Sequence, residues 1–187
     1  MSDKVVRIEH TIRAASDNQA RNIFRLAADR LMLVRGWSRL ADSLLFCSEH
    51  RDEHGAPVSR PAKADDFINL TSDEQRPFGW MQVIYVSEAM ADGDSEAVLV
   101  TRPVGLPFEA ENDSGPQTSP AILRVVRHGL EITSAISIDS NPITTVFERL
   151  GVYMVQWRSL VTGLLSDLDH PDDPNARNII GTESHYA

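Results

Sequence analysis

Cysteine is almost missing from this chain. Cys47 stands alone among 187 residues, so no internal disulfide can form. A single core at this length is stable without staples, and reducing surroundings are the simple reading. Lysine is nearly missing too: apart from Lys4 and Lys63, the positive charge is scattered arginine. With 27 acidic against 18 basic side chains, the formal net charge is −9. Such a field repels phosphate backbones, and no basic cluster with interleaved aromatics offsets it. Nucleic acid and anionic membrane surfaces are therefore not expected partners. Long hydrophobic runs are absent as well, and nothing approaches the roughly 20 apolar residues that span a bilayer. The first residues, Met-Ser-Asp-Lys-Val-Val-Arg, contain no apolar h-region of a secretory signal. The expectation is a cytoplasmic protein with no integral membrane association, in which the sequons at Asn69 and Asn112 carry no glycan. Phosphate-binding glycine loops and the G-x-S-x-G serine elbow are also missing, so nucleotide binding and α/β-hydrolase chemistry have no support.

What is present is periodicity. Between Pro142 and Leu168, apolar residues recur at Ile143, Val146, Phe147, Leu150, Tyr153, Met154, Trp157, Leu160, Val161, Leu164, Leu165 and Leu168. That i, i+3, i+4, i+7 spacing is one face of a long amphipathic helix. Asn141 before Pro142 supplies an N-cap and a proline at the first helical position. At the other end of the chain, residues 4–14 alternate, with Val6, Ile8, His10 and Ile12 on one face of a half-buried strand. Ser16 and Gln19 have capping-box spacing before a helix that buries Ala20, Ile23, Phe24, Ala27, Leu31 and Val34, with Arg35-Gly36 as its stop. A short turn or second helix at 38–42 leads to a strand at 44–48.

Residues 50–65 read as a long polar loop with Gly55, Pro57 and Pro61. Strands are expected at 67–70, 80–88 and 96–102, the last stopped by Pro103, and then at 122–127 and 130–138. Residues 107–119 form a second polar loop. One domain is expected over 1–168, followed by a polar, flexible tail over 169–187.

The order is strand, helix, short helix, about six mostly antiparallel strands, and one long helix. It resembles the START/Bet v 1-like helix-grip superfamily over residues 4–168, in element order and not in any residue signature. The resemblance implies an α+β fold, with a curved antiparallel sheet of six to seven strands gripping the C-terminal helix around an apolar cavity. Two features depart from it. The loop at 50–65 is long, and the glycine-rich loop that plant members carry after the second strand is missing.

Individual residues give weaker signals. Trp80, Tyr85, Tyr153 and Trp157 sit on elements expected to face the interior, where cavity lining and plain core packing predict the same residues. His10 on the apolar face of the first strand suits a ligand contact or a general base, and equally a satisfied core histidine. Arg102 at a strand end suits a ligand carboxylate at the cavity mouth or an ordinary exposed arginine. His50-Arg-Asp-Glu-His54 has the H-x-x-E-H spacing of inverted zinc peptidases, but without a helix to put both imidazoles on one face it reads as a solvated loop. Cys47 lacks a partner to activate it and reads as a small buried hydrophobe. The carboxylate pairs Asp65-Asp66 and Asp172-Asp173 read as solvated charges. Gly163, inside the long helix, marks a close approach to the sheet more plausibly than Gly151 does.

The expected function is binding of an apolar or amphipathic small molecule between sheet and C-terminal helix, as a carrier or sensor. Its ligand set is His10, Trp80, Tyr85, Arg102, Tyr153 and Trp157, with no metal and no cofactor required. Two rivals stand beside it: a cyclase or hydrolase on the same fold, and an acidic protein-interaction module or chaperone. A homodimer is left open.

Overall fold

In the computed structural model, the described residues are 4–72, 77–104, 120–140 and 144–168; side chains at 4, 72, 77, 78, 139, 140 and 144–153 lie outside the description. The alternating N-terminal segment forms β1 (Lys4–Arg13). Ser16 then caps α1 (Asp17–Met32), its hydroxyl accepting from the Gln19 amide at 3.2 Å. Gln19 reaches back as expected but bonds the Ala15 amide at 2.7 Å, one residue before the cap. Helix α1 stops at Met32, short of the expected glycine. The chain continues through a 3-10 turn (Val34–Gly36) into α2 (Trp37–Leu40).

Six strands follow: β2 (Leu45–Arg51), β3 (Phe67–Ser72), β4 (Pro77–Met90), β5 (Asp94–Val104), β6 (Ala121–His128) and β7 (Glu131–Ser140). The long helix α3 (Thr144–Leu165) closes the series. The seven strands among the described residues form one antiparallel sheet in the order β1-β7-β6-β5-β4-β3-β2. This is the expected α+β architecture, a curved sheet gripping a C-terminal helix. Pro103 does not end β5; it lies in the strand opposite Met81. Among the described residues pairing with β6 ends at Thr101, so β5 has β4 as its neighbour at Pro103, and a missing N–H is tolerated on the other side. The expected cap at Asn141-Pro142, the loop at 107–119, the second sequon at Asn112, the pair Asp172-Asp173 and the tail at 169–187 lie outside the described residues. No helix among the described residues is long and apolar enough to cross a membrane.

The core follows from the pleat. Ile8, Ile136, Leu123 and Leu99 stand in register across four strands and are all buried on the concave face. Against that face α1 packs Phe24, Ala27 and Leu31, and the C-terminal half of α3 packs Trp157, Leu160, Val161 and Leu164. Two buried polar groups pin α3 in place. Arg30 donates from Nη1 to the carbonyls of Gly163 (3.3 Å), Leu164 (3.4 Å) and Ser166 (2.8 Å), satisfying groups a helix end leaves orphaned. Ser134 on β7 donates to the Val161 carbonyl at 2.6 Å. A third buried tie, Arg127, bonds the Gly129 carbonyl at 3.0 Å and the Asp17 carboxylate, joining β6 to the start of α1.

Gly163 does mark a close approach, but to α2 and not to the sheet. A Cβ built there would lie 1.8 Å from the Leu40 carbonyl oxygen and 2.5 Å from its carbon. The surroundings of Gly151 are outside the description.

Candidate functional site

The concave wall of β2 carries the least expected group. His50 belongs to the strand and not to a solvated loop; it is 1% exposed. Its register partners are Ile68 on β3 and, through it, Met81 on β4, all three buried. A bulge between Cys47 and Glu49 sets this up. The inserted residue changes which face the chain presents, so after Leu45 the next fully buried side chain on β2 is His50.

The segment after β2 folds back over the wall. Val58 donates to the His50 carbonyl at 2.9 Å, Ala62 to the Met32 carbonyl at 2.9 Å, and Asp65 to the Val83 carbonyl at 2.8 Å. It delivers Asp66, which is 2% exposed, directly to the imidazole. Asp66 Oδ2 bonds His50 Nε2 at 2.9 Å and accepts from the Lys63 amide at 2.9 Å. Arg60 clamps both carboxylate oxygens, with Nη1–Oδ2 at 2.6 Å and Nη2–Oδ1 at 2.8 Å. Burial alone would push the Asp66 carboxyl up; the Arg60 fork, the Lys63 amide and His50 outweigh it and hold the group below the usual carboxylate range. The expectation that Asp65-Asp66 is a solvated pair is therefore corrected at Asp66: a bidentate arginine and a folded-back loop were supplied from nearby sequence.

An ionised carboxylate only accepts, so His50 Nε2 carries the proton. In the neutral ring that leaves Nδ1 as an acceptor, and it is buried with no hydrogen-bond partner among the described residues. An orphaned buried acceptor costs about 1–3 kcal/mol and is uncommon in native interiors. The arrangement is an acid–base pair in which Asp66 fixes the tautomer and orientation of the imidazole.

The zinc-like spacing does not assemble. His54 is 81% exposed in a turn organised by the Asp52 carboxylate, while His50 is buried on the strand. Among the described residues no group of three His, Cys, Asp or Glu side chains is placed to hold a metal ion.

The six residues singled out from sequence separate. His10 is half-buried on the concave side of β1, opposite Ser134 and close to its bond with α3. Trp157 is buried and meets Trp37 edge-on, with ring centroids 6.5 Å apart at 74°. Trp37, unremarked in the sequence, is itself fully buried and donates to the Leu31 carbonyl at 3.2 Å. Tyr85 lies outward, 53% exposed, because a bulge between Val83 and Tyr85 reverses the alternation that buries Met81 and Val83. Trp80 is half-buried in the alternation opposite to Met81, beneath the Arg51 guanidinium, 5.7 Å from the ring centroid. Arg102 is exposed and bonds Gln82 Oε1 across the strands at 3.1 and 2.7 Å. The side chain of Tyr153 lies outside the described residues. The structure thus brings His10 and Trp157 toward the sheet–helix interior and places Tyr85 and Arg102 away from it.

Cys47 donates to the Glu49 carbonyl at 3.2 Å, and burial pushes its thiol up to about 12. A thiolate is then scarce near neutrality, so labelling by a disulfide reagent at pH 8 is expected to be slow until the protein is unfolded. Stoichiometric labelling within seconds on the native protein would contradict this.

No protein-family model matches the sequence, and no curated protein matches it. Among solved structures the chain is similar to a hypothetical protein of Helicobacter pylori, at 9% identity and TM-score 0.47 over 86% of this chain and 87% of that one. It is similar to a Mycobacterium smegmatis protein at 10% identity and TM-score 0.46, over 96% and 93%. A norcoclaurine synthase point mutant of Thalictrum flavum, in complex with a transition-state analogue, matches at 12% identity and TM-score 0.43, over 88% and 97%. Likenesses of this size carry nothing about function, which rests on the chain's own residues.

Proposed function

We propose that this protein binds an apolar or amphipathic small molecule between the concave sheet and α3, with His50 as the polar anchor. One observation carries the reading: a fully buried imidazole, locked by Asp66 and Arg60, leaves Nδ1 without a hydrogen-bond partner among the described residues. A ligand hydroxyl or amide donating to Nδ1 removes that deficit, and the apolar side chains of the same face hold the remainder. His10 and Trp157 belong to this reading as neighbours along β1 and α3, and Tyr153 is retained as a proposed lining residue.

The test uses native mass spectrometry of gently purified protein, then titration with 1-anilinonaphthalene-8-sulfonate competed by decanol. Excess mass of a few hundred daltons that organic solvent releases supports the proposal, as does competition that His50→Phe weakens about tenfold, the worth of one buried hydrogen bond. An apo mass together with no displacement of the dye by decanol would end it. Equal competition in wild type and His50→Phe would remove His50 as the anchor.

The same bond favours a second reading, catalysis. An imidazole oriented by a buried carboxylate and presenting its other nitrogen is the geometry of a general base. On that reading the bound molecule changes chemically on incubation with wild type and remains unchanged with His50→Gln.

A further inference from the structure

A cleft of about 520 Å³ lies between α2 and α3, outside the sheet–helix interior. Its composition runs against the rest of an acidic chain. Arg30, Arg39 and Arg158 line it, against two carboxylates, Asp42 and Asp167. Arg39 and Arg158 are exposed, and neither has an ion pair or hydrogen bond among the described residues. Arg30 is 5% exposed; among the described residues its hydrogen bonds leave from Nη1, and its buried Nε has no partner there. Burial lowers the Arg30 pKa, with Asp167 opposing, which marks a desolvated cation beside the cleft. Asp42 is partly engaged, accepting from Ser159 across the cleft at 3.5 Å. Leu40, Leu44 and Val155 supply an apolar part of the wall, the last 64% exposed, and Ser159, Thr162, Gly163 and Ser166 complete it.

We propose that this cleft binds a small organic carboxylate with an aryl or short alkyl body. Its charge rests between Arg39 and Arg158, and its apolar body lies on Leu40, Leu44 and Val155. Three guanidinium groups against two carboxylates leave one positive charge to neutralise, which fits a monoanion better than a phosphate dianion. A planar carboxylate also matches the guanidinium fork. The volume falls in the range that holds small ligands. This site is separate from the interior and does not depend on His50.

The experiment is an amide-resolved NMR titration with three probes of one shape: phenylacetate, phenyl phosphate and the neutral 2-phenylethanol. Phenylacetate is expected to shift resonances of residues 39–44 and 158–167, and to bind at least about tenfold more tightly than the alcohol. The double variant Arg39→Gln/Arg158→Gln is expected to lose that advantage while keeping its melting temperature, because both side chains are exposed. His50→Phe is expected to change nothing here. Equal binding of acid and alcohol, shifts confined to the sheet–helix interior, or full affinity in the double variant would each overturn the proposal. Tighter binding of phenyl phosphate than of phenylacetate would overturn the carboxylate assignment.

Discussion

Gly163→Ala is expected to destabilise the protein by about 3 kcal/mol, the upper part of the usual overpacking range. For a chain of this size that lowers the melting temperature by roughly 10 °C. Helix propensity predicts the opposite sign, since alanine is favoured over glycine by about 1 kcal/mol within a helix. The geometry decides between them. The added carbon would stand 1.8 Å from the Leu40 carbonyl oxygen, and the obstacle is backbone, which cannot rotate aside as a side chain would. Relief requires α2 to move off α3, which breaks the contact beside the Trp37–Trp157 pair. Gly36→Ala is the control, because nothing lies within 4 Å of its built Cβ. Paired thermal melts check the contrast; a Gly163→Ala protein as stable as wild type would show that the two helices do not touch there.

Asp66→Asn is expected to cost about 3 kcal/mol, the low end for breaking a buried ion pair, because Asp66 is buried while Arg60 is 32% exposed to solvent. Arg60 loses its clamp, the Lys63 amide loses a charged acceptor, and His50 loses the group that orients it. A pH signature separates this from generic damage. The folded-state pKa of Asp66 lies below the ordinary 3.8, so near that pH the unfolded chain binds the extra proton. The carboxylate's contribution is therefore complete above the unfolded pKa and is lost as pH falls toward the folded one. Urea midpoints measured from pH 6 down to pH 3 should fall more steeply in wild type than in Asp66→Asn. Parallel curves would mean that Asp66 is not the group whose protonation matters.

The architecture was legible in the chain because it rests on long periodic signals. The alternation through Val6, Ile8, His10 and Ile12, the Ser16 cap and the apolar face through Trp157, Leu160, Val161 and Leu164 correspond to β1, the start of α1 and the packed half of α3. The site was much less legible, and both bulges explain why. A period-2 reading assumes that every residue advances one face, and one inserted residue inverts everything after it. On β4 that inversion turns Tyr85 outward although Met81 and Val83 point in. On β2 it turns His50 inward, where polar neighbours and the downstream Gly55 and Pro57 had suggested loop. Asp66 was hidden for another reason: its burial depends on Arg60 and Lys63 arriving through a fold-back that no local pattern encodes. The only available sequence hint was an arginine six residues before a carboxylate, too common to carry weight.

The sheet order has a consequence for how the chain is made. Residue partners Thr11 and Thr133 on β1 and β7 are 122 positions apart. At about 5–20 residues per second, the first strand leaves the ribosome on the order of ten seconds before its partner exists. During that interval Val6, Ile8 and Ile12 have no strand to pair with, whereas β4, β5, β6 and β7 each meet a sequence neighbour as they appear. The meander therefore has the means to form first, with β1 closing last. Closure spans most of the sequence, so folding should be slow for a domain of this size and exposed to aggregation until it is done. An unpaired apolar strand held that long is a natural target for a holding chaperone during synthesis.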